Sequence, residues 1–329
     1  MTESRDAFAA LLATLEEVGE RFAGEEWGLT DPTDVAEGLR VVVHHLGTGI
    51  ETQLEDDAAH PTFRAIVSPW RKALGDNADA RYHDAKVHPA GTYRVRGNTG
   101  GAVYVSFTVE AGAEDASRIT VRHYWEGPAS PQVPPMAELG LTIDLVDGID
   151  AVPATPPAPT DASIATAIRR MGTYVRSRTL DTMAKPGEGE APAFVSREPH
   201  VFPPPVPPGA HALAAADAAY SMAPYLLGPD EALVMRVRWP ECRCANVSLW
   251  NRQLQTFDYL RHPVSLNRAQ AVAGDDGTVT MVLAHRDPGV PNWLSTEGRP
   301  FGLVFWRFML PEGSIATPQA EVVALSSLG

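Results

Sequence analysis

The chain has 329 residues, of which 44% are hydrophobic, and a formal net charge of −14. This length and composition allow one large domain or two modest ones with a buried core. Because an acidic chain repels phosphate backbones and anionic membrane surfaces, we expect neither nucleic acid nor a membrane as a partner. The N-terminal residues lack the basic start and apolar core of a signal peptide, and no apolar stretch reaches the length of a membrane span, which predicts a cytoplasmic protein.

Residues 1–90 are predicted to form a helical region, and most of the acidity lies there. Residues 1–60 carry 14 acidic and 3 basic side chains, a net charge of −11. Apolar residues at three- and four-residue spacing predict a first helix with Ser4 as its N-cap and a second that begins at Asp31-Pro32. Residues 63–74 are predicted to form a shorter third helix that is broken at Pro69. The first apolar stripe is Phe8, Leu11, Leu12, Leu15, Val18 and Phe22, and the second is Val35, Leu39, Val42, Leu46 and Ile50.

Residues 91–150 are predicted to be a β-rich segment. TYRVRG, AVYVSFTVE and RITVRHYW alternate apolar with polar residues, as half-buried strands do, and LTIDLV continues the pattern. The glycine-rich residues 97–101 predict a hairpin between the first two strands.

Residues 151–225 are predicted to connect this segment to the C-terminal part. They comprise a helix at 161–184, a proline-rich strap at 185–208 and a short alanine-rich helix at 210–223. Polyproline stretches are extended and semi-rigid, which favours a strap that lies across the surface.

Residues 226–329 are predicted to form a β-sandwich domain, because short apolar strands alternate there with turn signals. The strands are ALVMRVRW, NVSLWN, TVTMVLAH, FGLVFWRFML and EVVAL. The predicted fold class is therefore α+β, with an N-terminal helical region and an antiparallel β-sandwich or jelly-roll-like C-terminal domain. Whether the two strand-rich regions form one sandwich or two stays open.

About the last hundred residues resemble the domain-of-unknown-function 1214 family, in the style of its actinobacterial members. The landmarks, in chain order, are an Asn that ends a strand (Asn251), an aromatic at Tyr259, the region of Ser265 and Asn267, the Asp276-Gly277 turn, a proline and glycine followed by Asn292-Trp293-Leu294, Gly298, and Arg307 in the final aromatic strand. The resemblance implies a β-sandwich or jelly roll. It brings no established reaction and no catalytic residues.

The segment HRDPGVPNWL at residues 285–294 is the first candidate for a functional loop. His285 is a candidate general base, and Asp287 could orient it. In the alternative interpretation, Asp287 caps a turn at Pro288-Gly289 and Asn292 bonds backbone groups. Since binding residues often lie on loops at one rim of a sandwich, the predicted pocket opens there. Its candidate residues are His262 and His285 with Asp287 for catalysis, and Asn251, Tyr259, Asn267, Asn292 and Trp293 for ligand binding.

Two strands carry an arginine among apolar residues. In RITVRHYW, Arg122 shares a face with Tyr124 while His123 lies on the other; in FWRFM, Arg307 shares a face with Phe305. A buried arginine pairs with a carboxylate, reaches an edge or binds an anionic ligand. Arg122, His123 and Arg307 are therefore further ligand-binding candidates.

Three functions remain open. The preferred one is an enzyme that acts on an amphipathic small molecule (a lipid, terpenoid, steroid or glycoside) by histidine acid–base chemistry. The alternatives are a non-catalytic carbohydrate- or lipid-binding sandwich and an assembly subunit that uses its acidic helices, so a homo-oligomer is possible. No nucleotide-binding motif and no metal-ligand spacing is present, and we expect neither a cofactor nor a metal.

Overall fold

The structure is a computed structural model that describes residues 2–110, 117–128, 139–149, 156–181, 188–209 and 215–328. It has an α+β fold with an N-terminal helical region and mostly antiparallel sheets, as predicted. The described helices include none that is both long and apolar enough to cross a membrane.

Three helices form one layer of the molecule. They are α1 (Glu3–Phe22), α2 (Pro32–Gly49) and α3 (Asp161–Arg176). A π-helical turn at Ile50–Leu54 follows α2, and another at Ser177–Asp181 follows α3. The Asp31 side chain accepts a hydrogen bond from the Thr33 backbone at 2.8 Å, so the predicted start of α2 is confirmed. Ser4 is not the N-cap of α1, because the helix begins at Glu3. The Ser4 hydroxyl instead hydrogen-bonds Asp161 at the start of α3, which ties the two helices together.

The predicted apolar stripes of α1 and α2 are only partly buried. Val18 and Phe22 of α1 pack against Val41 and Val42 of α2 and Val175 of α3. Four large apolar side chains outside this cluster are 45–64% exposed: Phe8, Leu12, Leu39 and Val43. The helices therefore bury one narrow face and leave apolar surface in water.

The first strand-rich region forms a small two-layer unit of its own. Its main sheet has the order β1 (Arg64–Ala65), β2 (Ala80–Lys86), β5 (Arg118–Tyr124), β4 (Tyr104–Glu110). The strands β3 (Thr92–Arg96) and β6 (Thr142–Asp147) pair with each other and cover one face of that sheet. The predicted hairpin at residues 97–101 is wrong: β3 pairs with β6 and β4 with β5, so the glycines connect two sheets.

The second strand-rich region forms a separate sandwich. One sheet has the order β10 (Ser265–Asn267), β9 (Cys244–Trp250), β13 (Phe301–Met309), β7 (Ala218–Leu226); the other has the order β12 (Trp293–Ser295), β11 (Val279–Ala284), β8 (Glu231–Val237), β14 (Gln319–Ala324). Trp306 and Phe308 point between the sheets, whereas Phe305 and Met309 point outward against the β2–β5 sheet. The alternation predicted for FWRFM is confirmed.

The proline-rich segment lies along the edge of this sandwich. The Ser196 backbone donates a hydrogen bond to the Met222 carbonyl and the His200 backbone to the Pro224 carbonyl, each at 2.8 Å, and Val206 pairs with Tyr220. The segment 194–206, called the strap below, covers the strand edge that β7 would otherwise expose.

Two predicted helices are not formed. Residues 63–74 contain β1 and irregular backbone, because Pro69 and a left-handed Leu74 (φ 55°) interrupt any helix there. Of the predicted helix 210–223, residues 210–214 lie outside the described residues, and β7 occupies the end from Ala218 onward. The first strand of the sandwich therefore precedes the predicted domain start at 226.

Gly75 lies where the helical region meets the sandwich, and we expect its replacement by alanine to be destabilising. Its φ is +78°, and an added Cβ would lie 2.8 Å from the Trp250 ring. Gly277 has the same backbone conformation (φ +79°) with no atom within 4 Å of an added Cβ. Chemical denaturation should show a loss of about 1 kcal/mol in Gly277→Ala from backbone strain alone and about 2–4 kcal/mol in Gly75→Ala. Equal losses would mean that Trp250 does not confine this glycine.

Candidate functional site

The larger of two notable clefts lies between α2 and the sandwich. This outer cleft has a volume of about 150 Å³. Its wall is formed by α2, the segment before β2, the loop after β9 and the loop before β13. The lining residues are Glu37, Arg40, Pro69, Trp70, Lys72, Asn251, Gln255, Thr256, Phe257, Asp258, Leu260, Arg261, Glu297 and Arg299.

Most charges in the outer cleft are neutralised within it. The Arg299 guanidinium pairs with the carboxylates of Glu37 and Glu297. Arg261 pairs with Asp258 at 2.5 Å. These ion pairs leave little charge available to a ligand.

Lys72 is the buried cation of this cleft. Its ammonium group donates hydrogen bonds to the carbonyls of Thr256 (3.0 Å) and Phe257 and lies 4.4 Å from the centre of the Tyr259 ring. Burial lowers the pKa of Lys72, and the nearby Asp76 carboxylate opposes that shift. Because its donors are directed at protein groups, Lys72 holds the 256–257 loop in place.

Arg40 and Trp70 differ from the rest of the lining. No side chain of the described residues forms a hydrogen bond or ion pair with the exposed Arg40 guanidinium. Trp70 is 75% exposed, and it is the one tryptophan among the exposed large apolar residues. The cleft thus offers a cation without an ion-pair partner and an indole face.

The second cleft, called the inner cleft, lies between the β2–β5 sheet and the outer face of the sandwich. Its volume is about 10 Å³, roughly the space of one water molecule. Cross-strand pairing places four residues in one row across β7, β13, β9 and β10: Tyr220, Arg307, Asn246 and Asn267. The last three of them line the cleft. These four residues form a polar row, and Ser248 and Ser265 lie on the same face beside it. The lining residues are Asn77, Asp79, Tyr124, Trp125, Cys244, Ala245, Asn246, Asn267, Arg307 and Met309.

Asp79, in the segment that precedes β2, contacts the polar row. One carboxylate oxygen accepts from the Asn246 amide at 2.7 Å and the other from the Asn267 amide at 2.9 Å. Burial raises the pKa of Asp79, and these two hydrogen bonds oppose the shift by favouring the ionised form. The Asn246 oxygen faces the Arg307 guanidinium at 3.3 Å, so an amide bridges the buried cation and the buried anion.

Residues 75–79 form a wall between the two clefts. Asp76 accepts hydrogen bonds from the backbone and hydroxyl of Thr256, which lines the outer cleft. Asn77 and Asp79 line the inner cleft.

The predicted catalytic residues line neither of these clefts. His285 has partners at both ring nitrogens, the Thr296 hydroxyl at 2.5 Å and the Leu227 carbonyl at 3.3 Å. Asp287 is exposed and accepts a hydrogen bond from the Gly289 backbone at 2.8 Å, which is the turn-capping interpretation. His262 is exposed on the loop before β10.

The predicted ligand-binding residues are divided between several places. Asn267 and Arg307 meet in the inner cleft; Asn251 lines the outer cleft, and Tyr259 lies under Lys72 beside it. Asn292 uses its whole amide to bond the backbone of residues 272 and 280, and the Trp293 indole donates to the Ala284 carbonyl at 3.2 Å. Both have structural contacts in the sandwich.

Arg122 and His123 are buried on opposite faces of β5. The Arg122 guanidinium donates to the Thr108 hydroxyl at 2.5 Å, and the His123 ring stacks on Trp125 at 5.7 Å between ring centres. Neither side chain lines the inner or the outer cleft.

Six cleft residues were not predicted from the sequence: Asp79, Asn77 and Asn246 at the inner cleft and Arg40, Trp70 and Lys72 at the outer cleft. One signal was available for Asn246, since it occupies an outward position in the apolar strand NVSLW. The run of polar residues in GDNAD before β2 was a second signal.

Two buried histidines make stability sensitive to acid. Burial lowers the pKa of both His45 and His83 to about 4, from an ordinary value of 6.5. The unfolded chain therefore binds protons that the folded chain does not. The contribution of neutral His45 and His83 to the free energy of unfolding is fully present above about pH 6.5, and it declines as the pH falls toward about 4.

His83 allows a direct test, because it is 0% exposed and neither ring nitrogen has a hydrogen-bond partner among the described residues. As the pH falls from 6 to 4.5, the free energy of unfolding of His83→Leu should rise relative to that of the unchanged chain by about 1.4 kcal/mol per pH unit. Above pH 7 the difference should be constant. Denaturant titrations at four pH values measure it, and a difference that is flat below pH 6 would contradict the buried neutral ring.

Comparisons with known proteins show the fold. No protein-family model and no curated protein matches the chain. The chain is similar to the crystal structure of an uncharacterised protein from Burkholderia cenocepacia, with 23% sequence identity, a TM-score of 0.82, and coverage of 98% of this chain and 97% of that chain. The VPA0106 protein from Vibrio parahaemolyticus aligns at 11% identity over 86% of this chain and 96% of that chain, but its TM-score of 0.44 is too low to indicate a shared fold. The resemblance to the domain-of-unknown-function 1214 family stays a prediction.

Proposed function

We propose that the protein binds an amphipathic small molecule in the outer cleft. The observation that carries the proposal is that Arg40, a cation without an ion-pair partner among the described residues, and the exposed indole of Trp70 line the same cleft, which holds about 150 Å³. Pro69, Trp70 and Leu260 would contact the apolar part of the ligand, and Arg40 its anionic group.

The placement of the side chains supports binding rather than histidine acid–base chemistry. His285, half-buried just after the end of β11, contacts Thr296 and Leu227, and neither it nor His262 lines the outer cleft. A carbohydrate platform of coplanar indoles also lacks support, because Trp70 is the one tryptophan among the exposed large apolar residues.

The proposal is tested by titration with three amphiphiles of known charge. Laurate and cholate carry a carboxylate, whereas octyl glucoside is neutral. We expect Arg40→Gln to weaken the binding of both carboxylates about ten-fold and to leave octyl glucoside unchanged. Trp70→Ala should weaken all three. Arg252→Gln, an exposed arginine outside the cleft, is the matched control. Binding of none of the three below micellar concentrations, or binding that is indifferent to both cleft variants, would overturn the proposal.

One observation favours self-association as a second function. Phe8, Leu12 and Leu39, which belong to the predicted apolar stripes, and Val43 next to them on α2 are 45–64% exposed. We propose that these faces contact a second copy of the chain. Sedimentation should show a dimer that Leu12→Glu combined with Val43→Glu converts to a monomer; an unchanged chain that is monomeric at high concentration would contradict it.

A further inference from the structure

The aromatic rings in and beside the outer cleft differ in whether a cation covers them. The Arg299 guanidinium lies 4.5 Å from the centre of the Phe257 ring. The Lys72 ammonium lies 4.4 Å from the centre of the Tyr259 ring. No ring or cation of the described residues stacks on Trp70, which is 75% exposed. Trp70 therefore has a ring face that a ligand can cover.

Arg40 is left without an ion pair, although a carboxylate lies one helical turn away on α2. The Glu37 carboxylate pairs with Arg299 and accepts a hydrogen bond from the Asn251 amide at 3.2 Å. No side chain of the described residues forms an ion pair with Arg40. The cleft thus has a guanidinium whose donors can bind the two oxygens of an anionic ligand.

The lining of the outer cleft carries a net positive charge in a protein whose formal net charge is −14. Burial lowers the pKa of Lys72 and of His44, which contacts the Lys72 backbone, and the charge of Arg40 lowers both further. This surplus of positive charge favours an anion over a neutral or cationic ligand. Four lining side chains are cationic and three are carboxylates: Arg40, Lys72, Arg261 and Arg299, against Glu37, Asp258 and Glu297.

The volume of the outer cleft limits the apolar part of a ligand. The cleft holds about 150 Å³. A cavity of about 150 Å³ accommodates one benzene molecule. One six-membered ring therefore fills the cleft, and a fused ring system would extend into solvent.

We propose that the outer cleft selects single-ring aromatic acids, with the ring against Trp70 and the carboxylate on Arg40. This inference rests on the proposed function, because it concerns the same cleft. A stacked pair of aromatic rings is more stable than the burial of its area alone would make it, so an aromatic ring gains more from Trp70 than a saturated ring does. The planar guanidinium of Arg40 matches the two oxygens of a carboxylate.

Benzoate and cyclohexanecarboxylate test this inference, because both are ionised at pH 7 and similar in size, and only benzoate is aromatic. Isothermal titration calorimetry of the full-length chain should show that benzoate binds about two- to ten-fold more tightly. Trp70→Leu should remove this preference, and Trp70→Phe should retain it. Arg40→Gln should weaken the binding of both acids about ten-fold. Arg252→Gln is again the matched control.

Equal affinities for benzoate and cyclohexanecarboxylate, or a preference that persists in Trp70→Leu, would overturn the inference. Tighter binding of an anthracene carboxylate than of benzoate would overturn the limit to one ring. Failure of this inference differs from failure of the proposed function. Binding of laurate and cholate that depends on Arg40, without a preference for benzoate, would overturn this inference and leave the proposed function standing. The benzoate preference without binding of laurate, cholate or octyl glucoside would support this inference and overturn the wider one.

Discussion

Replacing Asp79 with asparagine should destabilise the protein by roughly 3–5 kcal/mol, although the two side chains have nearly the same shape. Both oxygens of Asp79 accept from amide NH₂ groups, those of Asn246 and Asn267. An asparagine would direct its own NH₂ group at one of these donors. The change would also remove the anion nearest to the buried Arg307.

The side-chain amides of Asn246 and Asn267 cannot flip to present an oxygen to the new NH₂ group without losing other hydrogen bonds. The Asn246 amide also donates to the Asn77 oxygen at 2.6 Å, and its oxygen faces Arg307. The Asn267 oxygen accepts from the Gln270 backbone at 3.1 Å. Asp287→Asn is the matched control, because Asp287 is exposed and bonds one backbone group, so its loss should stay within about 0.5 kcal/mol. Denaturation of both variants at pH 7 measures the difference. Equal stability of the two would show that Asp79 is not held as an ionised acceptor.

Replacing Trp306 with alanine should cost about 3–5 kcal/mol, because it empties the centre of the sandwich. Trp306 is 0% exposed. Its ring meets Phe202 edge-on at 6.1 Å and lies 5.8 Å from Trp239. Through these contacts it joins the strap, the strand β13 and the segment after β8.

Trp70→Ala is the control for this prediction, since Trp70 is 75% exposed and its loss should change stability by no more than about 0.5 kcal/mol. Chemical denaturation followed by circular dichroism gives both values. A loss below about 1 kcal/mol in Trp306→Ala would mean that the sandwich core closes around the cavity.

Local patterns predicted the faces of strands but not the pairing of strands. The two-residue alternation correctly placed Phe305 and Arg307 on one side of β13 and Trp306 and Phe308 on the other. The same pattern could not show that β3 pairs with β6 rather than with β4, because that choice depends on residues about fifty positions away. Helix spacing likewise found α1 and α2, but it could not show that Phe8 and Leu39 stay in water.

The candidate sites were predicted one residue at a time, and their assembly was not. Arg307 and Asn267 were identified as polar residues in apolar surroundings. Their partner Asp79 lies 188 positions before Asn267, and no local pattern joins the two. In contrast, the residues that were close in sequence, His285 and Asp287, form separate local contacts, because a turn at Pro288-Gly289 satisfies the carboxylate.

The strap also affects the order in which the sandwich can assemble on the ribosome. Strap and β7 are neighbours in the chain, whereas β13, the other partner of β7, is synthesised only after a further 75 residues or more. Contacts between nearby segments form faster than contacts across a long loop. The strap is therefore the first partner available to β7, and a nascent chain that pairs them early has one fewer open strand edge to offer to its neighbours on a polysome.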